Sequence, residues 1–379
     1  MKALKEFKKK ASLNYLNSKG FKTGRKIIVI ESDDWGAIRM PNKNVYNQCL
    51  KEGLRVDNCP YNRYDTLACN DDFTAIFNSL SKFIDKWGNY PIITINAIMA
   101  NPNFSKIASE NFKKYHYEPF TKTIDDYYPG LNVFANWHEG IEKKLIKPQF
   151  HGREHLYVRR WLNVLSEKSE ETLFTFDNNF FGISTTITNE DRKTYLAALD
   201  LVDIREIEEQ KEILKDGLQI FKNTFKFDSQ SFIAPNYTWR SELEPYLKEL
   251  GVMTIQGARA QREPTGTHTY IKKHKMGYSN PFNQTYLIRN VEFEPSLNKN
   301  VNWKRYVMNQ VKNAFFWKQP AIISSHRLNY IGGLDEKNRT ENLIILEEIL
   351  KTILKKWPDV EFMTSDQLGE LIRKESENG

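Results

Sequence analysis

Seven times along this chain a short run of aliphatic residues ends in polar or charged residues and gives way to a longer stretch with helical spacing. The runs are Lys26 to Glu31, Ile92 to Met99, Lys147 to His151, Ser231 to Pro235, Val252 to Gln256, Ala321 to Ser325 and Val360 to Met363. Each is too short for a helix and rich in Ile and Val, whereas the stretches between them carry caps and breakers. Helices are predicted over Asp71 to Trp87 before Gly88, Arg153 to Ser166, Arg240 to Leu250 before Gly251, and Glu336 to Trp357 before Pro358. Strand and helix signals in alternation predict βα units around a mainly parallel sheet. Seven such strands suit an α/β barrel better than a two-stranded motif.

The stretches from about 101 to 146 and 167 to 230 exceed what a minimal βα unit needs, and both read as helical insertions on the barrel rim. The expected organisation is a basic N-terminal leader helix over residues 1–25 followed by one domain over 26–374. With 379 residues, 40% of them hydrophobic, the chain has material for a large core. None of its apolar runs approaches the roughly 18–20 residues of a spanning helix.

The net charge of +7 suggests a nucleic-acid binder until its distribution is considered. Residues 1 to 26 hold nine basic residues and one acid, so the remainder sums to −1. That confinement, with no recognition motif, argues against nucleic acid. The lysine-rich start lacks the apolar stretch of a secretory signal, and the chain is read as cytoplasmic. A solvated helix is the expected state of the leader, with docking on an anionic membrane surface as the other reading. Cys49, Cys59 and Cys69 form no Cys-x-x-Cys pair and are expected to be reduced.

In a parallel barrel the site lies at the carboxyl ends of the strands, so the polar residues that directly follow each run are its candidates. After "KIIVI" comes "ESDDWG" with Asp33 and Asp34, and after "KPQF" comes "HGREH" with His151 and His155. After "SFI" comes "APNYTW", and after "AIISS" come His326 and Arg327. Adjacent aspartates leaving a strand point in different directions, so one can hold a metal while the other faces substrate; the same pair also serves as a turn or cap. His151 and His155 stand at i and i+4, which places both imidazoles on one face of a helix or turn. One carboxylate and two histidines make a three-ligand set with open positions for water and substrate. A histidine can titrate near neutral pH, so His326 suits a general acid. Trp35, Tyr237 and Trp239 lie beside these motifs and offer faces for sugar rings or for the core.

These segments, in this order, resemble the motifs of the polysaccharide deacetylase family, the NodB-homology carbohydrate esterases. Its Thr-Phe-Asp-Asp-Gly is similar to "ESDDWG", its His-Ser/Thr-x-x-His to "HGREH", its Arg-x-Pro-Tyr to "IAPNY" and its Leu-x-x-His to "ISSH". The resemblance spans about Lys26 to Arg373. It implies a distorted (β/α)7 barrel and removal of an acetyl group, most plausibly N-acetyl, from an amino sugar or glycan precursor. By its logic Asp33 is the base, Asp34, His151 and His155 hold a divalent metal (zinc, with cobalt, nickel or manganese as alternatives), and His326 is the acid. Trp35, Asn236, Tyr237, Arg153 and Arg327 are then the candidate substrate-binding residues, with a backbone N–H near Asn236 or Tyr237 facing the oxyanion.

The chain also departs from the pattern. Ile233 stands where the family has the arginine that orients the base, leaving Arg153 or Arg327 to supply that cation, and no Asp-Trp segment is found to orient the acid. A non-catalytic glycan-binding protein and another metal-assisted glycan hydrolase are the alternatives. The hydrolase alternative includes a glycosidase pairing Glu31 or Glu154 with Asp33.

Overall fold

A computed structural model describes residues 11–377. Its main sheet has nine strands: β1 Lys26–Trp35, β2 Ile93–Ile98, β3 Ile146–Gly152, β4 Ser231–Ile233, β5 Thr254–Gly257, β6 Thr285–Ile288, β7 Val291–Glu292, β8 Ala321–His326 and β9 Val360–Met363. The order is β6-β5-β4-β3-β2-β1-β8-β7, with β9 on the lower part of β1 and every pairing parallel. All seven runs form strands; β6 and β7 are additional. The two ends of this path are pieces of one segment, separated only by Arg289 and Asn290. The Arg289 N–H donates to Gly257 O and the Asn290 N–H to Ile322 O, so the segment bridges β5 and β8 and closes the curl. The result is a distorted α/β barrel with helical insertions, and its seam runs through Arg289.

The strands are buried on both faces. Outward residues pack against the surrounding helices in one large apolar core, as expected of parallel sheets. The inward residues near the top are polar: Asn96 donates to Asp33 and Gln256, Gln256 donates to Ser231, and Ser365 donates to Glu31. Buried polar groups need partners, and this network supplies them for the Asn96 amide N–H, Gln256, Ser231 and Glu31.

Several element boundaries differ from those predicted. The helix expected over Asp71 to Trp87 is Asn70–Leu80, because the Asp85 carboxylate accepts from the N–H groups of Trp87 and Asn89 and forms a turn instead. The helix expected from Arg153 begins at Val158. Residues 153–157 stay irregular because Met99 N–H and Ala100 N–H both donate to Arg153 O, and Tyr157 N–H donates to Tyr195 O.

Within the two long stretches, Phe134–Glu142 and Glu206–Phe225 are the crossovers into β3 and β4. Gly217 lets the second of these lie against β3, since a Cβ there would sit 2.7 Å from the Phe150 ring. The rest, including Phe104–Ser109 and Glu170–Asp177, covers a separate apolar cluster built around Met40, Trp161, Phe176 and Tyr195.

Residues 1–10 of the expected leader lie outside the described residues; residues 11–18 are helical. Asn17 is fully buried there, donating to Asn313 and accepting from Asn290 at the seam. Cys49, Cys59 and Cys69 are free thiols. Among the described residues no helix is long and apolar enough to cross a membrane.

Candidate active site

Side chains from the upper ends of β1, β3, β6, β7 and β8 converge. Glu31 and Asp33 share the inner face of β1, two residues apart. Asp34 then breaks the alternation: its φ of +73° sits in the left-handed region, and the pairing of β1 with β2 shifts register between Ser32 and Trp35. This kink turns Asp34 away from Asp33 and toward β3. A non-glycine residue held at positive φ costs of order 1 kcal/mol and persists where its surroundings fix it.

The Asp34 side chain is held from both sides. Its Oδ1 lies 3.4 Å from His151 Nε2 and 3.2 Å from His155 Nε2, while Oδ2 accepts from Arg39 at 2.9 Å. All three donors are buried, within 4.8 Å of one another, and form a group able to hold a metal ion. The spacing can be tested: ligands about 2.05 Å from a tetrahedral ion stand about 3.3 Å apart. The observed 3.2 and 3.4 Å match that edge. His151 is oriented for the role, its Nδ1 donating to Ile233 O at 2.8 Å so that Nε2 faces the cluster. Burial pushes the pKa of His155 down and favours the neutral imidazole that ligation needs. Asp34 stays ionised: Arg39 and the two histidines outweigh its burial and hold it well below the usual carboxylate range.

Asp33 lies beside this group. Arg289 donates from Nη1 to Asp33 Oδ2 and from Nη2 to Oδ1, both at 2.6 Å, and from Nε to Glu31 at 2.5 Å. Burial opposes ionisation of Asp33, but the Arg289 charge prevails and depresses its pKa. The cation expected from Arg153 or Arg327 is therefore Arg289. Arg153 pairs with Glu154 and Asp216, and Arg327, wholly buried, pairs with Asp65 and donates to Ala37 O.

His326 is the last residue of β8 and stands in register with Asp33. Its Nε2 is 3.9 Å from Asp33 Oδ2, and its Nδ1 meets Glu294 Oε1 at 2.6 Å. Asn329 donates to the other oxygen of Glu294. Burial would lower the pKa of His326, but Glu294 outweighs it and raises the pKa to about 9. Glu294 thus occupies the place of the acid-orienting carboxylate that the motifs lacked. The His326 side chain is 23% exposed, against 3–5% for Asp33, Asp34, His151 and His155, so the site opens to solvent at the histidine. Tyr61 stands edge-on to the His326 ring at 5.5 Å and bounds that opening.

The remaining candidates divide. Tyr237 reaches the site, its hydroxyl accepting from Arg289 at 3.1 Å. Asn236 and Tyr237 both hold positive φ, and Tyr237 N–H is used on Ala234 O, which leaves Asn236 N–H as the available backbone donor of the two. Trp35 is not brought to the site. It is fully buried, its Nε1 donating to Ser32 and its ring packed against Phe73 and Trp137. Trp239 is also core. Neither Glu31, wholly buried on Arg289, nor Glu154, paired with Arg153, offers a second carboxylate across a cleft from Asp33.

The chain is thus a distorted (β/α) barrel with an Asp–His–His group, a second aspartate and a carboxylate-backed histidine at its carboxyl edge. No family model and no curated protein matches the chain. Among solved structures it is similar to a 4-α-glucanotransferase from Thermococcus litoralis, at 8% identity and a TM-score of 0.46 over 90% of this chain and 40% of that one. It is similar to a probable polysaccharide deacetylase from Pseudomonas aeruginosa PAO1, at 10% identity and 0.46 over 94% and 92%. PuuE allantoinase is similar at 10% and 0.45 over 93% of each chain. The chain thus spans under half of the glucanotransferase and most of the other two.

Proposed function

We propose that this chain is a metal-dependent hydrolase that removes the acetyl group from an N-acetylated amino sugar or glycan precursor. The observation that carries the reading is the pairing of two oriented proton-transfer groups, Asp33 on Arg289 and His326 on Glu294, 3.9 Å apart beside a three-donor group with zinc-like spacing. Asp34, His151 and His155 would hold the ion, with zinc the best match to one carboxylate and two imidazoles. A divalent ion bound there lowers the pKa of water and polarises an acyl carbonyl.

The protein's own residues do the rest. Asp33, ionised and fixed at both oxygens, takes the proton of the attacking water without losing its aim. Asn236 N–H is the backbone group offered to the developing oxyanion. His326, kept protonated by Glu294, gives a proton to the departing amine, a step an amide needs more than an ester does. Tyr237 and Tyr61 flank the opening with aromatic surface suited to a sugar ring.

The test is acetate release from N-acetylated chito-oligosaccharides by zinc-loaded protein. Wild type is expected to turn over and Asp33→Asn to lose at least about 100-fold in kcat. Zinc-loaded wild type that releases no acetate, or an Asp33→Asn protein as active as wild type, would refute the assignment.

A further inference from the structure

The described part of the basic leader, residues 11–26, is joined in space by a second basic segment. Residues 259–278 hold Arg259, Arg262, Lys272, Lys273 and Lys275 against one acid, Glu263. Together, residues 1–26 and 259–278 carry fourteen basic residues and two acids, a net +12. With a whole-chain charge of +7, the other residues therefore sum to −5.

The two segments touch. The Arg259 guanidinium lies over the Tyr15 ring at 4.7 Å, and Phe21 N–H donates to Met276 O at 2.7 Å. Lys22 sits over Trp317, whose Nε1 donates to Asn14. Lys19, Lys22, Arg262, Lys272, Lys273 and Lys275 are exposed, and among the described residues they have no ion-pair partner. Among the described residues, Lys19, Lys22 and the basic residues of 259–278 thus form a basic pole.

That pole also carries apolar side chains. Ala260–Pro264 and Thr269–Lys273 form a two-stranded antiparallel ribbon, and every residue of the second strand is exposed. Tyr270 and Ile271, on opposite faces of that strand, are 66% and 54% exposed. Tyr278, Tyr15 and Phe316 are 50%, 52% and 73% exposed. Large aromatic and aliphatic groups interleaved with lysines that form no ion pair are the composition of an interfacial anchor: the apolar groups enter the headgroup layer while the lysines meet lipid phosphates. Charge excess alone would suit any polyanion, but the exposed Tyr270 and Ile271 favour a bilayer.

We infer that this face, formed by the ribbon and the segment around Tyr15, docks the protein on an anionic phospholipid surface. The inference is independent of the proposed chemistry, because none of these residues belongs to the candidate site.

The experiment is vesicle flotation of the full chain with phosphatidylcholine vesicles containing about 30% phosphatidylglycerol, beside pure phosphatidylcholine, at low and high salt. Binding is expected only to the anionic vesicles and is expected to fall as salt rises. Lys272→Glu with Lys273→Glu should weaken it about thirtyfold or more. Tyr270→Ser with Ile271→Ser should weaken it without changing the salt dependence. These positions are exposed, and an unchanged unfolding midpoint checks that each variant is folded. Equal binding to both vesicle types, no binding, or variants that bind like wild type would overturn the inference. So would a single-stranded RNA that binds more tightly than the vesicles and strips the protein from them.

Discussion

Arg289 holds both carboxylate oxygens of Asp33 at 2.6 Å across 256 residues of chain, and its Nε holds Glu31 at the same time. The arginine is placed by the barrel seam, where the chain leaves β6 and enters β7. The orientation of Asp33 and the closure of the barrel therefore depend on the same residue.

Arg289→Met should leave two buried carboxylates without their cation and destabilise the protein by about 3–5 kcal/mol. Thermal or denaturant unfolding reads this directly. Arg289→Lys keeps the charge but loses the planar two-point grip, so it should recover part of the stability and little of the activity. A lysine variant with wild-type kcat would show that orientation of Asp33 is unimportant.

Glu294→Gln should bring the pKa of His326 down from about 9 toward the ordinary histidine range. In the kcat/KM profile, the alkaline limb that reports loss of the acid's proton should move to lower pH by a unit or more. The stability consequence has the same sign. A histidine whose pKa is raised on folding stabilises fully below about 6.5, and that contribution fades as pH rises through about 9. Wild type should lose part of its stability between those values, and Glu294→Gln should not. An alkaline limb that stays in place in the variant would assign it to another group.

Trp35→Phe should cost stability, by about 1–3 kcal/mol for a truncated ring in a packed core, while leaving KM for the acetylated sugar unchanged. The ring packs on Phe73 and Trp137 and meets no opening. A raised KM with unaltered stability would restore it as a substrate platform.

His274 is stacked on Tyr286 at 3.9 Å, and burial, with help from Lys272, pushes its pKa down to about 4. Because the unfolded chain then binds the proton more readily, stability should fall as pH drops from about 6.5 toward 4. His274→Gln should flatten that slope, and an unchanged slope in the variant would exclude the residue as its source.

The sequence makes the local features legible and hides the distant ones. All seven apolar runs form strands, because strands buried on both faces read as unbroken Ile and Val. The Asp–His–His group is visible because two of its members are four residues apart and the third stands at the polar end of an apolar run. Arg289 is not visible in this way. Its strand is four residues, "TYLI", set among Asn, Pro and Gly, and its partner is met only when the barrel closes. Glu294 is hidden similarly, after a two-residue strand. Trp35 misleads for the opposite reason: it follows the strand's polar end in sequence, but the bulge at Asp34 turns it into the core.

Asp33 and Asp34, neighbours in sequence, are predicted to have separate duties, one in proton transfer and one in metal binding. Metal content by mass spectrometry on wild type, Asp34→Ala and Asp33→Asn tests this division most directly. About one ion per chain in wild type and in Asp33→Asn, with loss in Asp34→Ala, is the predicted result. Equal metal content in all three proteins, or loss in Asp33→Asn with retention in Asp34→Ala, would contradict it.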